Sequence, residues 1–181
     1  MKRIAVFLAD GFEEIEAIAP IDILRRAEFD VDVVGLSKQV VGSHQIKVEV
    51  DRVLDANFDG AAYDLIVLPG GLPGSHHLRD SEEVIEAIQQ ANASGKGVAA
   101  ICAAPLVLDR AGLLEERQYI SFPGTEDEIH SGERLADEFV VVDGNIVTAR
   151  GAGVALDFGY ALVDYLGGDA DKLKASMQFK Q

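Results

Sequence analysis

The feature that most constrains this chain is the alternation of short apolar runs with helical stretches. Arg3–Leu8, Val31–Leu36, Leu65–Leu68 and Val98–Ile101 are apolar nearly throughout. Strands of that kind are buried on both faces, which happens when a parallel sheet lies between two layers of helices. Helical patterns fall between and after them, at Ile15–Glu28, Ser81–Ser94, Ala103–Arg110 and Gly153–Leu166, with a short helical tail. Ser81 can cap the second of these helices, and Gly95 lies just past its end. Val40–Val41 and Ile46–Val50 predict a hairpin or two edge strands. Phe139–Asp143 and Asn145–Ala149 flank Asp143-Gly144, a strong two-residue hairpin signal. The pattern predicts an α/β fold, with a mainly parallel sheet and helices on both faces. Its 181 residues show no linker, repeat or low-complexity stretch, so residues 1–181 read as one domain.

Charge narrows the partners. With 31 acidic and 16 basic side chains the net charge is −15, a field that repels phosphate backbones and anionic lipid. Nucleic acid and membranes are therefore not expected partners. The opening MKRIAVFLADGFEE imitates a signal peptide, but its apolar run ends at Asp10, too short for one. One cysteine cannot form an internal disulfide, which suits a reducing interior. A cytoplasmic location is the expectation.

Parallel strands joined by right-handed crossovers place every strand-to-helix loop at one edge of the sheet, where ligands bind in open α/β folds. Three such loops carry unusual chemistry: ADGFEEIEA (Ala9–Ala17), PGGLPG (Pro69–Gly74) and ICAAP (Ile101–Pro105). A lone thiol in an apolar run is usually a small buried hydrophobe. Cys102, however, sits where a strand stops and a helix starts, the arrangement of a nucleophile elbow. Helix N–H groups there favour thiolate, so its pKa is expected below that of a free thiol. Pro105 in the first helical turn gives up only an N–H without an intrahelical partner.

Of Glu13, Glu14 and Glu16, two read as ordinary first-turn acids. Glu16 differs, because Pro20 four residues on removes the N–H its carbonyl would accept. Its carboxyl is a candidate partner for the thiol, buried enough to carry a raised pKa and to act as acid or base. Gly70 and Gly71 match neither a dinucleotide fingerprint nor a phosphate loop. The glycines are either positive-φ loop positions or, as preferred here, the source of a backbone N–H that joins that of Ala103 in an oxyanion hole. His76, His77 and Asp80 lack a third ligand group and read as a solvated loop rather than a metal site, while His44 and His130 read as surface residues. GAGVALDFG near Gly151 matches a fingerprint only weakly. No metal or cofactor is expected.

The segments LADGFEEIEAIAPIDILRRA, YDLIVLPGGLPG, VAAICAAP, FPGTEDEI and VTARGAG together resemble the ThiJ/PfpI superfamily, in its DJ-one subgroup near bacterial chaperone-like members. That resemblance implies a flavodoxin-like three-layer sandwich, related to class I glutamine amidotransferase domains and usually a homodimer. It also implies that Cys102 is an oxidation-sensitive nucleophile, Glu16 its carboxyl partner, and Gly71 and Ala103 the backbone donors, with Gly70, Phe122 and Pro123 beside them. The chain departs from the pattern at two points. Ala103 follows the cysteine where protease-like relatives have histidine, and Phe122 precedes Pro123 where the DJ-one protein has histidine. A His-x-Glu pair is also missing, since Ser131 and Gly132 follow His130.

Three functions remain open. One is cysteine-dependent protection against carbonyl and oxidative stress, with weak glyoxalase- or deglycase-type turnover of small aldehydes or glycated substrates. The second is a redox sensor or chaperone that works through oxidation of Cys102. Thiazole monophosphate biosynthesis is the third and ranks below both for want of a phosphate cradle, while proteolysis is rated low for want of a base.

Overall fold

Strands and helices alternate through much of the chain, as the apolar runs predict. The computed structural model describes residues 1–180. In order the elements are β1 (Arg3–Leu8), α1 (Glu14–Arg26), β2 (Asp30–Gly35), β3 (Gln39–Val41), β4 (Lys47–Glu49), β5 (Arg52–Val53), β6 (Leu65–Leu68), α2 (Gly74–Arg79), α3 (Glu82–Ala93), β7 (Gly97–Ile101), α4 (Pro105–Arg110), β8 (Gln118–Tyr119), β9 (Glu133–Arg134), β10 (Val140–Asp143), β11 (Ile146–Ala149), α5 (Ala155–Tyr165) and α6 (Ala170–Ser176). Seven strands form the main sheet in the order β10-β11-β7-β6-β1-β2-β5. Only β10 runs antiparallel, paired to β11 through the Asp143-Gly144 turn. β3 and β4 form a separate hairpin, and β8 pairs with β9.

Period-two geometry explains why the strands had to be apolar on both faces. In β1, Ile4, Val6 and Leu8 point into one core with Ile23 and Leu24 of α1 and Phe158 and Leu162 of α5. Ala5 and Phe7 point into the other with Leu78 of α2, Ile85 and Ile88 of α3 and Leu106 of α4. Each fully buried Leu, Ile or Phe contributes about 1.5–3 kcal/mol of apolar transfer. This is the three-layer, flavodoxin-like arrangement.

Two expectations need correction. The helix after Cys102 begins at Pro105, not Ala103, because residues 102–104 make the turn. His76 and His77 lie in the short helix α2 rather than in a loop; α2 has no side-chain N-cap and buries only one large apolar residue, Leu78, so it leaves little periodic signal. No helix among the described residues is long and apolar enough to cross a membrane.

The neighbours β1, β6, β7 and β11 all run the same way and end at Leu8, Leu68, Ile101 and Ala149. Their following loops therefore share the carboxyl edge, and that is where the singled-out residues meet.

Candidate active site

Cys102 occupies the left-handed region, with φ +64°. A side chain there costs about 1–3 kcal/mol, so surrounding structure must hold it in place. Both flanking peptides are pinned: the Cys102 N–H donates to the Ala149 carbonyl at 2.9 Å, and its carbonyl accepts the Phe122 N–H at 2.8 Å. The chain leaves β7 abruptly and presents a partly buried thiol. This is the elbow inferred from the sequence.

Glu16 reaches the same place from α1. Glu13 caps that helix, its Oε2 accepting the Glu16 N–H at 2.9 Å, and this orients the first turn. The Glu16 carboxyl is fully buried. Its Oε2 accepts the Gly70 N–H at 2.9 Å, while Oε1 is buried without a hydrogen-bond partner. The Cys102 thiol interacts with the carboxyl without full hydrogen-bond geometry. Gly70 leaves room for the two groups to approach: a side chain at this position would collide with both the Glu16 carboxyl and the Cys102 Cβ. Burial raises the Glu16 pKa from 4.5 to about 7; the thiol and the Gly70 N–H oppose the rise, and the Glu13 charge adds to it.

The backbone N–H groups of Ala103 and Gly71 act on the Cys102 sulfur and favour its ionised form. They are outweighed. Burial, the negative charge of ionised Glu16 and the contact with its carboxyl push the thiol up to about 12. The expected depression of the Cys102 pKa is therefore not a property of the elbow alone. Two anions in a desolvated site repel, so the pair retains one proton over neutral pH. Gly71 adopts φ +91°, a turn that glycine supplies without strain.

Glu14 is not the ordinary first-turn acid the sequence suggests. It is buried, and Oε1 accepts the N–H groups of His44 at 2.7 Å and Ile46 at 3.3 Å. Burial alone would raise its pKa, but hydrogen bonds from its own backbone, His44 and Ile46 hold it below the usual range. Glu13, Glu14 and His44 bring one ligand atom each within 4.8 Å of one another, but donors from the 42–46 loop already occupy the Glu14 oxygens. His76 pairs with Glu128 at 3.0 Å, His77 with the Asp10 carbonyl at 2.8 Å, and His130 is exposed. No histidine among the described residues bonds the thiol.

A largely apolar cavity of about 500 Å³ is lined by Phe122, whose N–H bonds the Cys102 carbonyl, and by Pro123, Phe139, Arg150, Gly151, Ala152, Gly153 and Val154. Phe122 and Pro123 both line it, whereas Gly70 lies against Glu16 and Cys102 instead.

Residues 2–165 match the family model described as DJ-1/PfpI family. The chain belongs to the DJ-1/PfpI family. It is 39% identical over 177 residues to Protein DJ-1 homolog B of Arabidopsis thaliana, covering 96% of this chain but only 40% of that protein. A second relative, Deglycase PYRAB04690 of Pyrococcus abyssi, is 35% identical over 153 residues, covering 83% of this chain and 91% of the relative. Among solved structures, Toxoplasma gondii DJ-1 in its oxidized form superposes with a TM-score of 0.92 at 32% identity, covering all of both chains.

In this DJ-1/PfpI-family chain, sequence reasoning missed Phe139, Arg150 and Val154. The signal was present. Counting back from the Asp143-Gly144 turn pairs Val140 with Ala149 and puts Phe139 against Arg150, whose N–H donates to the Phe139 carbonyl at 2.9 Å.

Proposed function

We propose that the chain is a cysteine-dependent protein of carbonyl and oxidative stress, with slow glyoxalase- or deglycase-type turnover of small reactive aldehydes. The observation that carries this reading is the fully buried Glu16 carboxyl, which interacts with the Cys102 thiol and whose Oε1 has no donor among the described residues. A carboxylate oxygen buried without a donor is a costly state, whereas a protonated Oε1 needs no donor and can donate to sulfur. The reactive form then holds its single proton on Glu16 and its charge on Cys102, where the Gly71 and Ala103 N–H groups stabilise it.

With a 2-oxoaldehyde, sulfur adds to the aldehyde carbon. The C=O π pair moves to oxygen, which takes the Glu16 proton, giving a neutral hemithioacetal. The Glu16 carboxylate removes the C–H proton of that carbon, its electron pair forming a C=C bond while the ketone π pair moves to the ketone oxygen. That oxygen takes the hemithioacetal hydroxyl proton, the first carbon regains its C=O, and Glu16 returns its proton to the former ketone carbon. A thioester of the 2-hydroxy acid results, and water releases the acid and the thiol. The redox change is internal, so no cofactor is consumed. A single positioned acid–base group contributes roughly 10²–10⁴-fold, which sets a low ceiling on the rate. Conversion of methylglyoxal to lactate tests the reading. Cys102→Ser should abolish it and Glu16→Gln should reduce it by roughly 10²-fold or more; unchanged turnover in either variant rejects the mechanism.

A second reading, redox response through Cys102 sulfinate, is favoured by the absence of an imidazole at the thiol among the described residues and by the oxidized state of the Toxoplasma relative. Peroxide is the oxidant: each of two equivalents delivers one oxygen to sulfur and leaves as water. The α1 face exposes Ile15 and Ile18, and a second copy of the chain is the partner proposed to cover it. Ile15→Asp should yield a monomer in sedimentation.

A further inference from the structure

Phe122 does more than occupy the place of a base, because it lines a cavity that adjoins the elbow through backbone hydrogen bonds. The cavity is tied to the elbow through backbone on two sides. The Phe122 N–H bonds the Cys102 carbonyl, and the Cys102 N–H bonds the carbonyl of Ala149, the residue before Arg150. At about 500 Å³ it falls within the roughly 300–1,000 Å³ of sites for drug-sized molecules, more than a three-carbon aldehyde needs.

Its walls suit a flat apolar group. Phe122 and Phe139 are 51% and 56% exposed, large aromatic surface left in water on a chain of net charge −15. The Arg150 guanidinium lies over the Phe139 ring, 4.5 Å from its centroid, and donates to the Ala136 carbonyl. The lining is thus aromatic and apolar with one guanidinium held against a ring, a composition that favours a planar ring over a flexible chain.

We infer that this cavity is the side-group subsite of Cys102 and that it selects aryl-substituted 2-oxoaldehydes over methylglyoxal. The substrate class rests on the aldehyde reading above; the subsite does not. Sulfur bonds the aldehyde carbon, the π pair moves to oxygen and takes the Glu16 proton, and the aryl ketone end stays seated between Phe122, Phe139 and Val154.

Two measurements test the inference. The first is the ratio of initial-rate kcat/KM for phenylglyoxal over methylglyoxal. The second is the ratio of Cys102 alkylation rates by phenacyl bromide over bromoacetone, in which sulfur displaces bromide and no turnover is needed. Each is divided by the same ratio for N-acetylcysteine. A difference of one apolar group in a pocket is worth roughly 10–200-fold, so both normalised ratios should reach at least about 10. Phe139→Ala, an exposed position whose loss spares the core, should cut both several-fold, and so should Phe122→Ala. Alkylation preference without turnover of either aldehyde would uphold the subsite and reject the aldehyde reading. Turnover with both ratios within about threefold of the free thiol, below the range a pocket gives, and unmoved by Phe139→Ala, overturns the subsite and leaves the aldehyde reading standing.

Discussion

The Glu16 carboxyl and the Cys102 thiol meet across Gly70, whose N–H holds the carboxyl by Oε2 at 2.9 Å. Burial raises the pKa of both groups, Glu16 to about 7 and Cys102, facing ionised Glu16, to about 12. One proton shared by the two is the consequence at neutral pH.

Stability should carry the mark of that proton. Glu16 has a folded-state pKa raised above 4.5, so its contribution is complete below about 4.5 and is lost as pH rises through about 7. The shift corresponds to about 3 kcal/mol, since each unit is worth about 1.4. Glu14 works in the opposite sense, its lowered pKa giving stability that disappears on acidification. The difference between wild type and Glu16→Gln isolates the Glu16 effect. Urea denaturation at pH 5 and pH 8 should show the variant gaining on the wild type at the higher pH.

Gly70→Ala should damage the site and the fold together. The added methyl would meet the Glu16 carboxyl and the Cys102 Cβ, and overpacking of this kind costs about 1–3 kcal/mol. Urea midpoints should fall, and iodoacetamide should alkylate Cys102 at a changed rate. A variant with wild-type stability and wild-type alkylation would show that the site has room for a side chain at this position.

The elbow strain can be read directly. At φ +64°, Cys102→Gly should be more stable than Cys102→Ala by about 1 kcal/mol, the penalty of a Cβ in the left-handed region. Equal stabilities would mean that the turn relaxes when the thiol is removed.

Phe122→His should raise methylglyoxal turnover while barely changing peroxide oxidation of Cys102. An imidazole supplies a second proton-transfer group, worth up to roughly 10²–10⁴-fold, whereas oxidation needs only thiolate, access and backbone donors. Robust wild-type turnover that the substitution fails to improve would show that one carboxyl suffices.

Much of this site was legible because topology does the work. Strand direction alone puts the loops of Glu16, Gly71 and Cys102 at one edge, and the single Gly70 N–H to Glu16 bond then joins two of them. Glu14 was misread because its donors, His44 and Ile46, come from a loop thirty residues away, and nothing local reports that contact. The thiol pKa was misjudged for a related reason. Helix position is visible in sequence, but the burial and the neighbouring charge that outweigh it arise only in the folded chain. Phe139 and Arg150 escaped notice although the hairpin register pairs them, because no family motif covers Phe139.

The most direct test of the shared proton is the ultraviolet absorbance of the Cys102 thiolate across pH, with Cys102→Ala as blank. If Glu16 keeps the proton, the thiol is the first of the pair to ionise, and absorbance should rise with a midpoint below that of a free thiol. Glu16→Gln, which keeps a neutral donor, should leave that midpoint in place. A thiolate signal that appears only above about 8.5, the value of a free thiol, would put the proton on sulfur and contradict the account.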